Sequence, residues 1–182
     1  MTFCVVDVET TGLAARRDRI TEIAAVRIEN LSISHRQFAS LVNPGCPIPP
    51  LITELTGIDN FMVRTAPTFR DIATGLSTHL DGAVMVAHNA SFDMAFLREE
   101  YARLDAIFAP PHILDTVSLA RRVLPGLSQY KLTSLCQHLH IKPGMHRAEG
   151  DALATAELFL HLARLAPSTL TKKLRIPERA SC

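Results

Sequence analysis

Apolar and polar positions along the chain follow two rhythms, one of strands and one of helices. Residues 3–8, FCVVDV, are almost continuously apolar and rich in β-branched side chains, which predicts a buried central strand. Residues 20–28, ITEIAAVRI, and a stretch near 31–42 read as two more strands, with Asn30 between them in a tight hairpin-like connection. NPGCPIPP (43–50) is a loop by its Pro and Gly content, and a short helix runs from Pro50 to about Leu55, stopping near Gly57. A second helix begins at Pro67 and Thr68 and keeps helical spacing through Phe69, Ile72, Leu76 and Leu80. AVMVA (83–87) is another buried strand.

Residues 91–104 form a helix with Ser91 as N-cap and Phe92, Ala95, Phe96 and Tyr101 at helical spacing. Ile113–Leu114 is a short strand that leads into a helix capped by Asp115 or Thr116. Helices over 131–139 and 148–165 follow, the last rich in Ala and Leu and ending before Pro167. Three strands, two helices, a strand, a helix, a strand and three helices make an α/β chain, and a mixed sheet with helices on its faces is the expected layering.

Composition narrows this picture. A chain of 182 residues with 47% hydrophobic content suits one core, here assigned to residues 1–166. No apolar run reaches the roughly 18 residues of a membrane span, and MTFCVVDVET lacks the basic start of a signal peptide. Cys4, Cys46, Cys136 and Cys182 are scattered without CxxC spacing, as isolated thiols of a reducing cytoplasmic compartment would be. The net charge is only +1, but residues 167–182 carry Lys172, Lys173, Arg175 and Arg179 against Glu178. That segment reads as a solvated basic tail, with holding a phosphate backbone as the second reading.

The chemistry concentrates in three blocks. Asp7 and Glu9 stand two apart in the first strand, so they share a face, with Cα atoms about 6.6 Å apart. Carboxylates so spaced can share divalent ions about 3.5–4 Å from each other. Asp93 and Asp151 each lie near the start of a helix, where an acid is at home without any function. Asp151, however, lies on an otherwise apolar helix, and burying it there without a partner or a cation is costly. His146 lies five residues earlier, in a loop bearing Pro143 and Gly144, and a mostly uncharged imidazole there can accept a proton. His88 and Asn89 follow a buried strand at the end where ligands bind in such sheets. His138, His140 and His146 could bind zinc, but no supporting cysteine pair or H-E-x-x-H pattern accompanies them.

Together, DVETTGL, HNASFDMAFL and HRAEGDA resemble the DEDDh, or DnaQ-like, exonucleases, a family that includes proofreading subunits of bacterial replicative polymerases. The resemblance spans about residues 3–165. It implies a ribonuclease-H-like fold, a mixed five-stranded sheet flanked by helices. It implies that Asp7, Glu9, Asp93 and Asp151 hold two divalent cations, Mg²⁺ or Mn²⁺, and that His146 is the general base. A tyrosine in the place of His146 would have marked the DEDDy branch instead.

LITELTGI (51–58) resembles the family segment that touches the terminal nucleotide, which makes Leu51, Leu55 and Thr56 candidate contacts, with Thr10 and Leu13 beside the first motif. His88 and Asn89 match a position near the substrate, and Asp115 matches an acid read here as a helix cap. The implied activity is 3′→5′ exonuclease action on single-stranded ends, releasing nucleoside 5′-monophosphates. DNA is favoured over RNA, and a DNA polymerase catalytic subunit is a candidate partner. The alternatives are an RNA-trimming enzyme similar to ribonuclease T or oligoribonuclease, and a subunit whose task is docking.

Overall fold

A computed structural model describes residues 1–110 and 112–166; the basic tail assigned to 167–182 lies outside them. The apolar run at the start becomes β1 (Thr2–Thr10), the middle strand of a five-stranded sheet. β2 (Ile20–Glu29) and β3 (Ser32–Leu41) continue it antiparallel on one side. β4 (Val84–Ala87) and β5 (Ile113–Asp115) add to the other side in parallel, in the order β3-β2-β1-β4-β5. Asn30 and Leu31 join β2 to β3, with φ of 53° and 58°. Two left-handed residues are what a two-residue hairpin needs to match the twist of its strands.

The helices are α1 (Pro50–Thr56), α2 (Asn60–Val63), α3 (Phe69–Leu80), α4 (Ser91–Ala102), α5 (Thr116–Val123), α6 (Leu132–Leu139) and α7 (Ala148–Leu165). They sort onto the two faces of the sheet through the alternation of β1. Cys4, Val6 and Val8 face α3 and α4, packing with Phe69, Leu76, Met94 and Phe96. Phe3 and Val5 face α5, α6 and α7, and the Phe3 ring lies 4.8 Å from that of Phe159. Asp7 and Glu9 continue this second series, so the period of the strand aims them to the side of α7.

The sequence expectations hold for element type and order, with three local differences. The helix α2 was not expected; its four residues are too few for a periodic signal, and Asp59 caps it by accepting from the Met62 amide at 2.8 Å. α3 begins at Phe69 because Thr68 and Asp71 form a reciprocal capping box just ahead of it. Ser91 does not cap α4. The cap is Ala90, and the amides of Asn89 and Ala90 are taken instead by Asp115 Oδ1 at 3.0 and 3.4 Å. Asp115 also caps α5, as expected, accepting from the Val117 and Ser118 amides. One carboxylate therefore ties the starts of two helices together.

A second tie reaches from the β1–β2 connection to α4. Arg19 grips the buried Glu100 with bonds of 2.7 and 3.0 Å, and the Ile20 amide donates to the same carboxylate. This fixes the position of α4, and hence of Asp93, against the sheet.

Candidate active site

β4 ends at Ala87 while β1 runs on to Thr10. The Val8 amide, which points towards the β4 side, has no strand partner there, and Asp93 Oδ1 accepts from it at 3.2 Å. The carboxylate of Asp93, on the first turn of α4 and 4% exposed, thus enters beside the Asp7–Glu9 segment. From the opposite side comes the start of α7. There the ligand oxygens of Asp7, Glu9 and Asp151 all lie within 4.8 Å of one another.

Asp151 depends on a close approach of backbones. Gly144, in the loop before α7, lies against the Gly150–Asp151 peptide so tightly that a β-carbon on it would overlap Asp151 N and the Gly150 carbonyl carbon. A β-carbon on Gly150 would come within 2.6 Å of the Gly144 carbonyl oxygen. The next two loop residues, Met145 and His146, are both left-handed, with φ of 60° and 56°. Such conformations cost non-glycine residues of order 1–3 kcal/mol each and persist only where surrounding contacts hold them. Here the contact is the seating of Gly144 on the Gly150–Asp151 peptide. The exposed His146 ring is thereby held at the rim of the same cleft.

All five residues line one open cleft of about 710 Å³. Crowded acids with little water pay to be charged. Burial, then Asp93, Glu9, Asp151 and Glu22, push Asp7 far above the ordinary carboxylate value. Burial likewise pushes Asp93 up to about 8, against the bonds from its own amide and that of Val8. Burial, then Asp151 and Glu22, push Glu9 up to about 7, with Arg147 opposing. Asp151 is raised by burial, with the charge of His146 and the backbone of His146 and Gly144 opposing.

Arg147 cannot neutralise the cluster, because it is bound to Glu22. Its Nε and Nη2 reach the Glu22 carboxylate at 2.6–3.2 Å, and the Ala148 amide adds a bond of 2.9 Å. Four carboxylates that repel one another, made of hard oxygen donors and short of protein cations, fit Mg²⁺ or Mn²⁺ better than zinc. Among the described residues, Asp7, Glu9 and Asp151 are the group that brings metal-ligand atoms together; His138 and His140 take no part in it.

The other expected contacts divide. His88 and Asn89 line the cleft. His88 Nδ1 is 2.9 Å from Thr116 Oγ1, and burial lowers the His88 pKa, with Asp115 and a bond to the Tyr130 backbone opposing. Thr10, Leu13, Leu51, Leu55 and Thr56 do not line it. The Thr10 hydroxyl donates to Gly12 O at 2.6 Å. The Thr56 hydroxyl donates to Ile52 O and accepts from the Ile58 amide, which occupies it in ending α1. Leu13, Leu51 and Leu55 are not ordinary packing either, being 84%, 74% and 55% exposed.

Sequence reasoning passed over Phe92, Val117, Arg121, Tyr130, Lys131, Leu132 and Thr133, which complete the lining. It also passed over Glu22, although strand pairing sets Glu22 directly opposite Glu9.

The exonuclease family, in its RNase T form, matches residues 4–159. The chain is 42% identical over 178 residues to the 3′-5′ exonuclease DinG of Bacillus subtilis, covering 95% of this chain and 19% of that protein. It is 38% identical over 160 residues to the DNA polymerase III subunit epsilon of Treponema pallidum, covering 86% and 74%. Exonuclease X, solved with 5′-overhanging duplex DNA, superposes with a TM-score of 0.72 at 29% identity, covering 91% and 93%. The mixed five-stranded sheet with flanking helices is the ribonuclease-H-like arrangement that the sequence motifs led one to expect. The chain spans less than a quarter of the length of the curated relatives that match it at 42% identity.

Proposed function

The chain belongs to the exonuclease family, and from that membership we propose that it removes nucleotides from the 3′ end of single-stranded nucleic acid, DNA before RNA, as nucleoside 5′-monophosphates. The observation that carries this reading is the meeting of Asp7, Glu9 and Asp151 within 4.8 Å, with Asp93 and His146 on the same cleft.

Asp7, Glu9, Asp93 and Asp151 would hold two divalent cations. When bound, these acidify water and offset charge on the phosphate. His146 takes the proton from the attacking water. It stands at the open rim, where a strand enters, in the loop that Gly144 seats against Gly150 and Asp151. Asp93 keeps its place through Val8, and Asp151 through Gly144, so the acids are pre-positioned and little reorganisation is needed at the moment of reaction.

The preference for DNA is supported by the DNA held by exonuclease X and by relatives named DNA polymerase III. Those names also support docking on a polymerase catalytic subunit as an additional role. A cytoplasmic setting is supported by the free thiols of Cys4, Cys46 and Cys136, and no described helix is long and apolar enough to cross a membrane.

The test is digestion of matched 5′-labelled DNA and RNA oligonucleotides with Mg²⁺, Mn²⁺ or EDTA, resolved by size. The reading predicts a ladder shortening from the 3′ end with either metal, faster on DNA, and none in EDTA. An RNA-only ladder would move the substrate assignment to RNA trimming, and a metal-independent ladder would overturn the proposal.

A further inference from the structure

The acids reach the cleft from β1, α4 and α7. α5 and the segment that leads into α6 bring cations to the same cleft. Arg121, Lys131 and Thr133 line it. Neither Arg121 nor Lys131 joins an ion pair among the described residues. Two unpaired cations sharing a cleft with four acids would be expected to collapse onto them. They do not, and the packing behind them gives the reason.

The Arg121 guanidinium lies over the Tyr130 ring, 5.1 Å from its centroid. Such stacking is favourable even at exposed sites. Tyr130 itself is pinned, its hydroxyl donating to Leu124 O at 2.8 Å. His88, on the same cleft, is itself held to Thr116 Oγ1 at 2.9 Å. Lys131 follows Tyr130 directly, so the same bracing holds its backbone. The cleft therefore holds both the acids and two cations that do not pair with them.

We propose that Arg121 and Lys131 form a second phosphate site, which grips the phosphate adjacent in the strand to the one at the acids. This rests on the exonuclease reading above. A nucleic-acid strand presents regularly spaced anions, and a guanidinium and an ammonium facing the cleft supply sequence-independent affinity for one of them. The site makes the enzyme favour strands over isolated nucleotide esters. The phosphate at the acids needs cations supplied from solution, whereas the adjacent phosphate is met by cations of the protein.

The experiment compares wild type with Arg121→Gln, Lys131→Gln and the double variant on two substrates in Mn²⁺. One is the p-nitrophenyl ester of thymidine 5′-monophosphate, which has a single phosphodiester and no neighbouring phosphate. The other is an oligothymidylate of about ten nucleotides. The proposal predicts that each variant raises KM for the oligonucleotide about five- to tenfold more than KM for the ester. It also predicts that the slope of log KM against log salt falls by roughly one for each charge removed. Losses equal on both substrates, or absent from both, would overturn it. If wild type cleaved neither substrate, the exonuclease reading itself would fall. Both side chains are exposed, and should Arg121→Gln lower Tm by removing the stack on Tyr130, Lys131→Gln carries the comparison alone.

Discussion

Glu22 and Arg147, 125 positions apart, are joined by a bidentate ion pair whose shortest bond is 2.6 Å. The pair fastens the start of α7 to β2 at the position facing Glu9. It thus sets where Asp151 stands relative to Asp7 and Glu9. Arg147→Ala leaves Glu22 as one more unpaired acid at the cluster. Because the Arg147 side chain is 45% exposed, the loss of stability is modest, about 1–2 kcal/mol. Activity falls further, by about ten- to a hundredfold, as Asp151 and His146 lose their anchorage. Thermal unfolding and initial rates on the same preparations check both; an unchanged kcat would mean that the pair has no part in positioning.

Gly144→Ala is expected to be among the most damaging single-methyl changes in the molecule. The added carbon overlaps backbone atoms of Gly150 and Asp151, which cannot swing aside as a side chain could. The loop must move, carrying His146 with it. A shift of about 1 Å at reacting groups can cost about a hundredfold in rate, so kcat drops by at least that factor. A crystal structure of the variant should show the loop displaced and the sheet unchanged.

Asp93 separates charge from hydrogen bonding. Asp93→Asn keeps an oxygen for the Val8 amide and removes one member of a crowded set of acids. The metal-free variant should melt higher than wild type, while cleavage falls by more than about a thousandfold. Asp93→Ala strands the buried amide at a cost of about 1–3 kcal/mol and should melt lower. Equal melting of the two variants would contradict the role given to the Val8–Asp93 bond.

How far the sequence foretold this can be judged residue by residue. Strict alternation in β1 placed Asp7 and Glu9 on one face, and folding keeps them there. Asp93 looked like an unremarkable first-turn acid, and Asp151 like one too costly to bury alone on an apolar helix; the premature end of β4 and the Gly144 contact turn them inward. Neither is visible in a linear pattern. Ser91 was a sound N-cap by type, but a carboxylate some twenty-five positions on, Asp115, had already taken the amides near it. Glu22 and Arg121 were passed over because their meaning depends on what lies near them in the fold, Glu9 in one case and the acid-bearing cleft in the other. Arg147 lay within HRAEGDA, and the signal that could have found it was its place next to His146.

Proton binding should compete with metal binding, and its sign follows from the directions above. The folded-state values of Glu9, about 7, and Asp93, about 8, lie above their ordinary values of 4.5 and 3.8. Raised carboxylates favour the folded state fully below their ordinary values, and this contribution is lost as pH rises through the folded values. In EDTA the melting temperature should therefore fall between about pH 4.5 and pH 8. Saturating Mg²⁺ or Mn²⁺ should raise it, and by more at pH 8 than at pH 6. Scanning fluorimetry across that range checks the trend; an EDTA curve that rises towards pH 8 would refute the crowding of the acids.

The most direct test of the cation-holding centre is a titration of Mn²⁺ into the metal-free protein at about pH 8, with free Mn²⁺ followed by its paramagnetic signal. Wild type should bind Mn²⁺ saturably, and Asp7→Asn and Asp151→Asn should each weaken that binding at least about tenfold while melting no lower than wild type. If wild type bound no Mn²⁺, or if both variants bound it as tightly as wild type, these carboxylates would not be a metal site, and the account built on them would be wrong.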